Sequence, residues 1–226
     1  MGMAVFCVLA TLALFYPNKY LYRRWPRLWF NPILLTPAAL AALLWAAHIP
    51  LDEYLSDTHW LLWCLGPATV GFAVPIYQHR ALIREHWAAL LAGTVAGVTM
   101  AVGSSWLLAR AAGLPGEVAN SLLVRSISTP FAMGIAERVG GKADLTAMFV
   151  VLTGVAGIVT GELVLALLPR RSGLARGASY GAAAHALGTV KAREFGEPAG
   201  VMASLLMIFS GLLTTLLAPL IRHLAT

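Results

Sequence analysis

The segment from Arg125 to Pro130, with the sequence RSISTP, places a cation, three hydroxyl groups and a proline in an otherwise apolar stretch. Ser128 or Thr129 can cap a helix that begins at Pro130, where the missing N–H of proline costs nothing. The N-terminus of such a helix carries roughly half a positive charge and free N–H donors. Together with Arg125, Ser126 and Ser128, it predicts a binding site for an anion such as a carboxylate.

A second interpretation of Arg125 needs no ligand. A charged side chain at the centre of a membrane helix costs at least about 2.5–3.5 kcal/mol on insertion scales. Arginine escapes that cost by extending to the membrane interface or by bonding to backbone carbonyls. The residue types alone leave both interpretations open.

The second polar segment is ASYGAAAHALGTVKA, in which His185 stands among alanines and is followed by Gly188 and Thr189. Gly188 permits a break in the helix, and histidine changes its charge between pH 5 and 8, as a proton-coupled step requires. A packed, hydrogen-bonded histidine is the simpler alternative. We expect His185, Gly188 and Thr189 to line the site on the side opposite the 125–130 break.

Two further polar residues interrupt apolar runs. Asn31 precedes Pro32, which predicts a helix that begins at Pro32 with Asn31 as its N-cap. We include Asn31 among the expected substrate-binding residues. Glu162 lies within the apolar run 142–168, near the basic residues that follow it, and we expect it to be structural.

Enzyme signatures are absent from the sequence, which contains no H-E-x-x-H, G-x-S-x-G or P-loop motif. An intramembrane protease built from Ser126 or Ser128 with His185 is conceivable, but no serine-elbow context supports it. Cys7 and Cys64 lie in apolar windows without metal-ligand spacing. We therefore expect no catalytic residue, disulfide, metal or cofactor.

The composition is that of a polytopic α-helical membrane protein. Of 226 residues, 59% are hydrophobic and 12% are charged, whereas soluble domains are about 25% charged. The alternating strands of a membrane barrel are absent. A membrane span needs roughly 20 apolar residues, and five windows reach or approach that length: Gly2–Tyr16, Pro32–Ile49, Trp87–Leu108, Ala143–Leu168 and Val201–Ile221.

Two further features concern the spans themselves. A sixth apolar element, WLLWCLGPATVGFAVPIYQHR, is expected to be broken at Gly66-Pro67 and at Pro75. The 87–112 span carries Gly93, Gly97 and Gly103, which predict a face for close helix packing within or between subunits.

The net charge of +6 comes from cations in short loops, which orient a membrane protein. They form no solvated stripe with interleaved aromatic residues, so a nucleic-acid partner is not expected. The first loop, PNKYLYRRWPRLWF, is basic and therefore predicted to be cytoplasmic. The charged residues of the next loop, PLDEYLSDTH, are all acidic, which indicates that this loop lies on the external side of the membrane. The N-terminus is then also external.

Loop charges also test the topology of the second half. Arg170, Arg171 and Arg176 are expected in the cytoplasm. If 117–139 crossed the membrane, these arginines would lie outside, so we expect 117–139 to be a re-entrant hairpin. The segment 178–192 has basic residues at both ends and is interpreted in the same way.

The predicted fold is therefore an all-α polytopic membrane protein with about six full transmembrane helices and two re-entrant or broken-helix elements. We expect one transmembrane domain, 1–226. Its halves, 1–113 and 114–226, are candidates for the inverted repeats common in transporters, although no residue-level self-similarity supports this. Eight interrupted segments remain the alternative.

Four stretches resemble the LrgB/CidB family of bacterial membrane proteins: FNPILL, GPATVGFAVPIYQHRALIREHWAAL, NSLLVRSISTPFAMGIAERVGG and RGASYGAAAHALGTVKARE. The resemblance covers nearly the whole chain. Arg125 stands where the family usually has lysine, which retains the charge but replaces an ammonium by a planar fork. Ser128 stands where threonine is usual.

The resemblance implies two functions. One is secondary transport of small monocarboxylates (pyruvate, glycolate, glycerate or lactate-like) across the bacterial inner membrane, as in the related plastid glycolate/glycerate translocator. The other is regulation of murein hydrolase export or autolysis, in holin/antiholin fashion, with a small LrgA/CidA-type membrane partner. We favour transport, because a holin needs no cation and helix break at membrane depth. We also expect a homodimer surrounded by membrane lipid.

Overall fold

The computed structural model describes residues 2–25, 28–71, 73–167 and 172–225. All regular elements within these ranges are helical. The chain forms two compact units, Met1–Pro67 and Ala68–Thr226. Arg27, Arg170 and Arg171, which contributed to the predicted topology, lie outside the described residues.

The first unit contains helices α1 (Gly2–Arg24), α2 (Pro32–Ala46) and α3 (Leu51–Thr58), with short 3-10 turns at Leu28–Phe30 and His59–Cys64. Asn18 Nδ2 donates a hydrogen bond to Thr36 Oγ1 at 3.1 Å, which joins α1 to α2. Thr11 Oγ1 and Tyr54 Oη lie 2.8 Å apart and join α1 to α3.

The start of α2 is as predicted, but the end of α1 is not. The N–H groups of Leu34 and Leu35 both donate to the Asn31 carbonyl, and the helix begins at Pro32. The predicted loop 17–30 is helical as far as Arg24, so the first helix is longer than expected. Arg23 and Arg24 occupy its last turn, where cations interact favourably with the helix dipole.

The sixth apolar element is divided next to Gly66-Pro67, as predicted. It consists of the 3-10 turn His59–Cys64, α4 (Leu65–Gly71) and α5 (Ala73–Gln78). Pro67 and Pro75 each lie in the first turn of a helix. Proline is tolerated there because the first N–H groups of a helix have no partner within it. The predicted interruption next to Gly66-Pro67 is therefore confirmed. Phe72, which precedes α5, lies outside the described residues, so the break at Pro75 stays a prediction.

The second unit continues with α6 (Arg80–Glu85), α7 (Trp87–Ala111), α8 (Gly116–Leu123), α9 (Thr129–Ala136), α10 (Ala143–Leu167), α11 (Gly173–Ala192) and α12 (Glu197–Ala225). Four helices of the described chain are long and apolar enough to cross a membrane: Val5–Arg24, Trp87–Ala111, Ala143–Leu167 and Glu197–Leu224. The protein is thus an all-helical membrane protein. The expected six full spans are not all present at that length, because α2 has 15 residues and the next apolar element is divided.

Small residues allow the helices of the second unit to pack closely. A Cβ on Gly157 would lie 2.7 Å from the Ala183 carbonyl oxygen, so α10 and α11 meet along a face without side chains. Gly177 and Gly181 similarly face the backbone of Ala199 and Ala203 in α12.

The glycine face of α7 is only partly used within the subunit. A Cβ on Gly93 would lie 3.2 Å from Leu206 Cδ2, and one on Gly97 would lie 3.3 Å from Ala182 Cβ. A Cβ on Gly103 would meet no atom of the described structure within 4 Å. Close packing inside the subunit therefore accounts for the first two glycines.

Candidate functional site

The predicted anion site lies at the turn of a helical hairpin. Helices α8 and α9 are joined by residues 124–128, and we call 116–142 the first hairpin. Its turn carries Arg125, Ser126 and Ser128. Val124 and Ile127 on the same turn are buried and anchor it in the apolar core.

The two ends of the first hairpin are bonded to each other. Asn120 Nδ2 donates to the Gly140 carbonyl at 3.2 Å, and the Lys142 N–H donates to Ser121 Oγ at 2.8 Å. Lys142 Nζ lies 2.9 Å from Glu117 Oε2. The two ends of the hairpin therefore lie side by side. A re-entrant hairpin, as predicted from the loop charges, has this arrangement.

Helix α9 begins one residue earlier than predicted, at Thr129, with Pro130 as its second residue. Ser128 occupies the N-cap position, but its side chain makes no capping hydrogen bond. Its Oγ is buried, with the residue 2% exposed, and has no partner within the described ranges. Ser128, one of the two predicted residues, is therefore at the N-cap position, but the predicted capping hydrogen bond from its side chain is not made within the described structure. Pro130 fits because the N–H it lacks would have no partner in the first turn.

Arg125 reaches from the hairpin turn to two long helices. Its Nε donates to Ser105 Oγ of α7 at 3.0 Å, and its Nη1 donates to Thr153 Oγ1 of α10 at 3.1 Å. Both acceptors are buried, neutral hydroxyls. Among the described residues, no carboxylate lies within 4.0 Å of the guanidinium. The cation is held in place without being neutralised.

The second polar segment is also a hairpin. Helix α11 is interrupted at His185, whose φ of 38° and ψ of −119° are not helical. Gly188 lies against the carbonyl oxygen of Tyr180, eight residues earlier, which would be about 12 Å away along a straight helix. The chain therefore reverses at His185, and we call 173–195 the second hairpin.

The break occurs at His185 and not at Gly188, where we expected it. A positive φ is uncommon for a residue with a side chain, and it is retained only where surrounding contacts enforce it. Gly188 is needed for a different reason, because a Cβ there would overlap the Tyr180 carbonyl. Thr189 Oγ1 donates to the His185 carbonyl at 2.9 Å and stabilises the turn.

The ends of the second hairpin also meet. The rings of Tyr180 and Phe195 stack with centroids 5.8 Å apart, and the Arg176 guanidinium lies 5.1 Å from the Phe195 ring centroid. Lys191 Nζ lies 2.6 Å from Glu162 Oε1, which attaches the hairpin to the last turns of α10. Glu162 thus has the structural contact that its position suggested.

The His185 side chain is enclosed by protein, with the residue 2% exposed. Its Nε2 has no hydrogen-bond partner in the described part of the chain. The ring packs directly on Gly154, where a Cβ would lie 2.9 Å from His185 Cε1. His185 also lies close enough to Arg125 to interact with it electrostatically.

The two hairpins meet near the middle of the 25-residue α10. The first packs on the start of α10, where Thr146 Oγ1 donates to the Ser121 carbonyl at 3.4 Å. The second packs on its end, where a Cβ on Gly161 would lie 2.8 Å from Tyr180 Cε1. The two turns therefore approach from opposite ends of α10 and come together at its centre.

A small cavity lies beside the first hairpin turn. It is lined by Ser126 and Ile127 of that turn, Ala182 of the second hairpin, and Ser210 and Thr214 of α12, with residues of α7 completing the wall. Its volume of about 10 Å³ is room for about one water molecule. A carboxylate with several heavy atoms requires this region to open.

Eight of the nine expected binding residues belong to the two hairpins: Arg125, Ser126, Ser128, Thr129, Pro130, His185, Gly188 and Thr189. Asn31 is buried in the first compact unit. Sequence reasoning missed Ser105, Thr153 and Ser210. The available signal was weak, since Thr153 and Ser210 are single hydroxyl residues within apolar spans and Ser105 differs from its neighbour Ser104 in no respect that the sequence shows.

Comparison with known proteins places this arrangement in a family. A profile of the LrgB-like family matches residues 11–224. The chain belongs to the LrgB-like family. The resemblance drawn from the four stretches is therefore confirmed.

Relatives match along nearly their whole length. YxaC of Bacillus subtilis (strain 168) is 35% identical over 218 residues, which cover 96% of this chain and 95% of YxaC. YwbG of the same strain is 33% identical over 219 residues, or 97% of both chains. The holin-like protein CidB of Staphylococcus aureus (strain Mu50) is 28% identical over 218 residues, which cover 96% of this chain and 95% of CidB. No solved structure matches the chain.

Proposed function

We propose that this protein is a secondary transporter of small monocarboxylates, such as pyruvate, glycolate, glycerate or lactate, across the bacterial inner membrane. The observation that carries the proposal is the environment of Arg125. Its guanidinium lies among helices and is bonded to the neutral hydroxyls of Ser105 and Thr153. Arg125 is partly buried, and removing a cation from water is costly unless an anion or an array of acceptors compensates it. A substrate carboxylate supplies that compensation.

The groups next to Arg125 suit a carboxylate. The planar guanidinium fork binds two carboxylate oxygens at once. Ser128 Oγ is buried without a partner, and it lies at the N-terminus of α9, where free N–H groups favour negative charge. Ser126, Thr129 and Pro130 complete the same turn. We assign the carboxylate to this turn.

The second hairpin supplies the opposite wall of the proposed site. Among the described residues, His185 Nε2 has no hydrogen-bond partner, so it is available to bond to the substrate or to accept a proton during transport. Gly188 and Thr189 hold the turn in shape through their contacts with Tyr180 and His185. Asn31 remains a residue to be tested by substitution.

The hairpin arrangement supports transport over a purely structural role. Transporters commonly bind substrate where broken helices from opposite sides meet near the membrane midplane. Here the turns meet at the centre of α10, with room for about one water between the first turn and α12. Movement of either hairpin relative to α10 would open the site to one side at a time. We propose that the working form is a homodimer that acts with a small LrgA/CidA-type membrane partner.

Reconstitution into liposomes tests the proposal. We expect uptake of radiolabelled pyruvate or glycolate, near-complete loss in Arg125→Ala, and partial retention in Arg125→Lys. Arg110→Ala is the matched control, because it removes an arginine at the end of α7 that lies outside the proposed site. The Arg110 guanidinium carbon lies 4.4 Å from the Trp106 ring centroid. Absence of uptake for every small carboxylate, with and without the small partner protein, would overturn the proposal.

Regulation of murein hydrolase export is the second candidate, because the relatives from Staphylococcus are holin-like proteins by name. This function needs assembly with a partner and no carboxylate. Cells that carry Arg125→Ala separate the two. If the variant loses carboxylate uptake but keeps its effect on autolysis, regulation does not depend on transport. If the wild-type protein affects autolysis but shows no carboxylate uptake, the result favours regulation of murein hydrolase export over transport.

A further inference from the structure

The end of the first hairpin packs against the end of α12. After α9 the chain forms a 3-10 turn, Glu137–Val139, which contacts α12. Val139 of that turn and Ile221 of α12 belong to one buried apolar cluster. This packing holds Arg138, the basic residue of the turn, beside the last turns of α12.

Basic side chains from these two elements line one open cavity of about 840 Å³. They are Arg138 of the turn and Arg222 and His223 of α12, and the described lining residues include no acid. Among the described residues, no carboxylate lies within 4.0 Å of either guanidinium. The helix dipole accounts for cations in the last turn of α12, but not for an arginine that a separate element contributes. The cavity therefore has the charge of an anion-binding site.

The position of the cavity along α12 matches the level of lipid headgroups. The membrane-spanning part of α12 ends at Leu224, so Arg222 and His223 occupy the last turn of the span. Basic residues at the end of a span lie near the phosphates of the bilayer, and basic pockets between membrane helices bind anionic lipid headgroups. The rest of the wall is mainly apolar and includes Leu216 and Pro219.

An apolar groove adjoins this cavity. It has a volume of about 330 Å³, lies between α12, α6 and the start of α7, and shares Leu216 with the basic cavity. Its lining side chains are hydrophobic, including Phe209 and Leu213, with Thr94 as the exception. From Phe209 to Arg222 the helix rises about 20 Å. One leaflet of a bilayer has a hydrocarbon depth of roughly 15 Å, so the groove and cavity together have the length of a phospholipid.

We propose that the cavity binds the phosphate headgroup of an anionic phospholipid, with an acyl chain lying in the apolar groove. The guanidinium groups of Arg138 and Arg222 bind the phosphate oxygens. Inorganic phosphate shares this headgroup chemistry but has no chain for the groove, which favours the lipid. The bound lipid joins the end of the first hairpin to α12 and stabilises their contact. This inference does not depend on the transport function.

Thermal melting of the purified protein in detergent tests the proposal. The probes are long-chain phosphatidylglycerol, which is anionic, and phosphatidylcholine with the same chains, which has no net charge. We expect phosphatidylglycerol to raise the melting temperature more, and the double variant Arg138→Gln/Arg222→Gln to lose that difference. Arg110→Gln is the matched control, because Arg110 lies at the end of α7 and does not line the cavity. Without lipid the double variant should melt like the wild type, since both arginines are exposed.

Native mass spectrometry measures the affinity for each lipid. Loss of either arginine should weaken phosphatidylglycerol binding about fivefold, as for one basic residue at an anionic lipid surface, and leave phosphatidylcholine binding unchanged. Arg222→Lys should retain most of the affinity because it keeps the charge. Leu216→Gln should weaken binding of long-chain but not short-chain phosphatidylglycerol. Leu220→Gln is its control, since Leu220 is also exposed and lines neither the cavity nor the groove.

Four results would overturn the lipid site. Equal stabilisation by phosphatidylglycerol and phosphatidylcholine would show that the headgroup charge is not recognised. Equal stabilisation by inorganic phosphate and phosphatidylglycerol would assign the cavity to a soluble anion. An effect of Arg110→Gln as large as that of the double variant would assign the preference to general surface charge. A change from dimer to monomer in the double variant, measured by light scattering, would make the cavity an interface between copies.

Discussion

Arg125 and His185 contact consecutive residues of α10. Arg125 Nη1 donates to Thr153 Oγ1 at 3.1 Å, and the His185 ring packs on Gly154, where a Cβ would be only 2.9 Å from its Cε1. Each residue stands at the turn of a hairpin, and the hairpins approach from opposite ends of α10. One short segment of α10 thus positions a cation and an imidazole together, and the following substitutions test what it does.

Gly154→Ala should displace the second hairpin. The added Cβ would meet both His185 Cε1 and Leu187 Cδ1 at 2.9 Å, and a helix packed this closely cannot absorb a methyl group without moving. Overpacking of this kind costs about 1–3 kcal/mol. We expect a lower melting temperature in detergent and a loss of carboxylate uptake. Gly103→Ala is the control, because a Cβ there meets nothing within 4 Å in the described structure. Full activity in Gly154→Ala would contradict the proposed meeting of the turns.

Thr153→Val should release the Arg125 guanidinium from α10 while preserving side-chain volume. The lost hydrogen bond joins a charged donor to a neutral acceptor, for which about 1.5–3 kcal/mol is typical. We expect the KM for a carboxylate substrate to rise at least tenfold in liposome uptake. Thr160→Val on the same helix is the comparison, since the Thr160 hydroxyl is exposed and its one bond among the described residues is to the Ala156 carbonyl of its own helix. Equal effects of the two changes would show that Thr153 does not orient Arg125.

The lysine–glutamate contacts of the second hairpin should stabilise its ends more than the corresponding contact of the first hairpin does. Lys191 is less exposed than Lys142 and lies within 2.7 Å of both Glu162 and Glu194, whereas Lys142 pairs with Glu117 at an exposed position. Exposed pairs contribute about 0–1 kcal/mol, whereas removing one partner of a less exposed pair costs more because the remaining charges are left unpaired. Lys191→Met should therefore increase amide hydrogen exchange across 173–192. Lys142→Met should leave exchange in 116–139 almost unchanged, and the reverse order would refute the ranking.

The sequence predicted that both ends of 117–139, and both ends of 178–192, lie on the same side of the membrane. That prediction needs only the positions of the basic residues in the flanking loops. The sequence did not predict where the second hairpin turns. Glycine is the usual helix breaker, so Gly188 was the expected position, yet the break is at His185. Helix packing decides this, because Gly188 is needed where the two halves of α11 touch.

The sequence was sufficient to identify the ionisable residues of the candidate site but not its neutral hydroxyl residues. Arg125 and His185 stand out in an apolar chain because burying them is costly. Ser105, Thr153 and Ser210 do not stand out, since a single hydroxyl in a membrane helix normally bonds to a carbonyl one turn earlier. Only the positions of the helices reveal that two of these hydroxyls hold Arg125 and the third faces a cavity.

Ser128→Ala distinguishes a ligand-binding serine from a helix cap. A capping serine contributes about 0.5–2 kcal/mol, so its loss normally lowers stability. Ser128 Oγ makes no capping bond and is buried without a partner in the described ranges. We therefore expect Ser128→Ala to melt at or above the wild-type temperature while the KM for carboxylate rises several-fold. Ser121→Ala should behave oppositely, because Ser121 Oγ accepts the Lys142 N–H at 2.8 Å and its loss leaves that donor unpaired. A destabilised Ser128→Ala protein with unchanged KM would assign Ser128 to the helix and remove it from the carboxylate site.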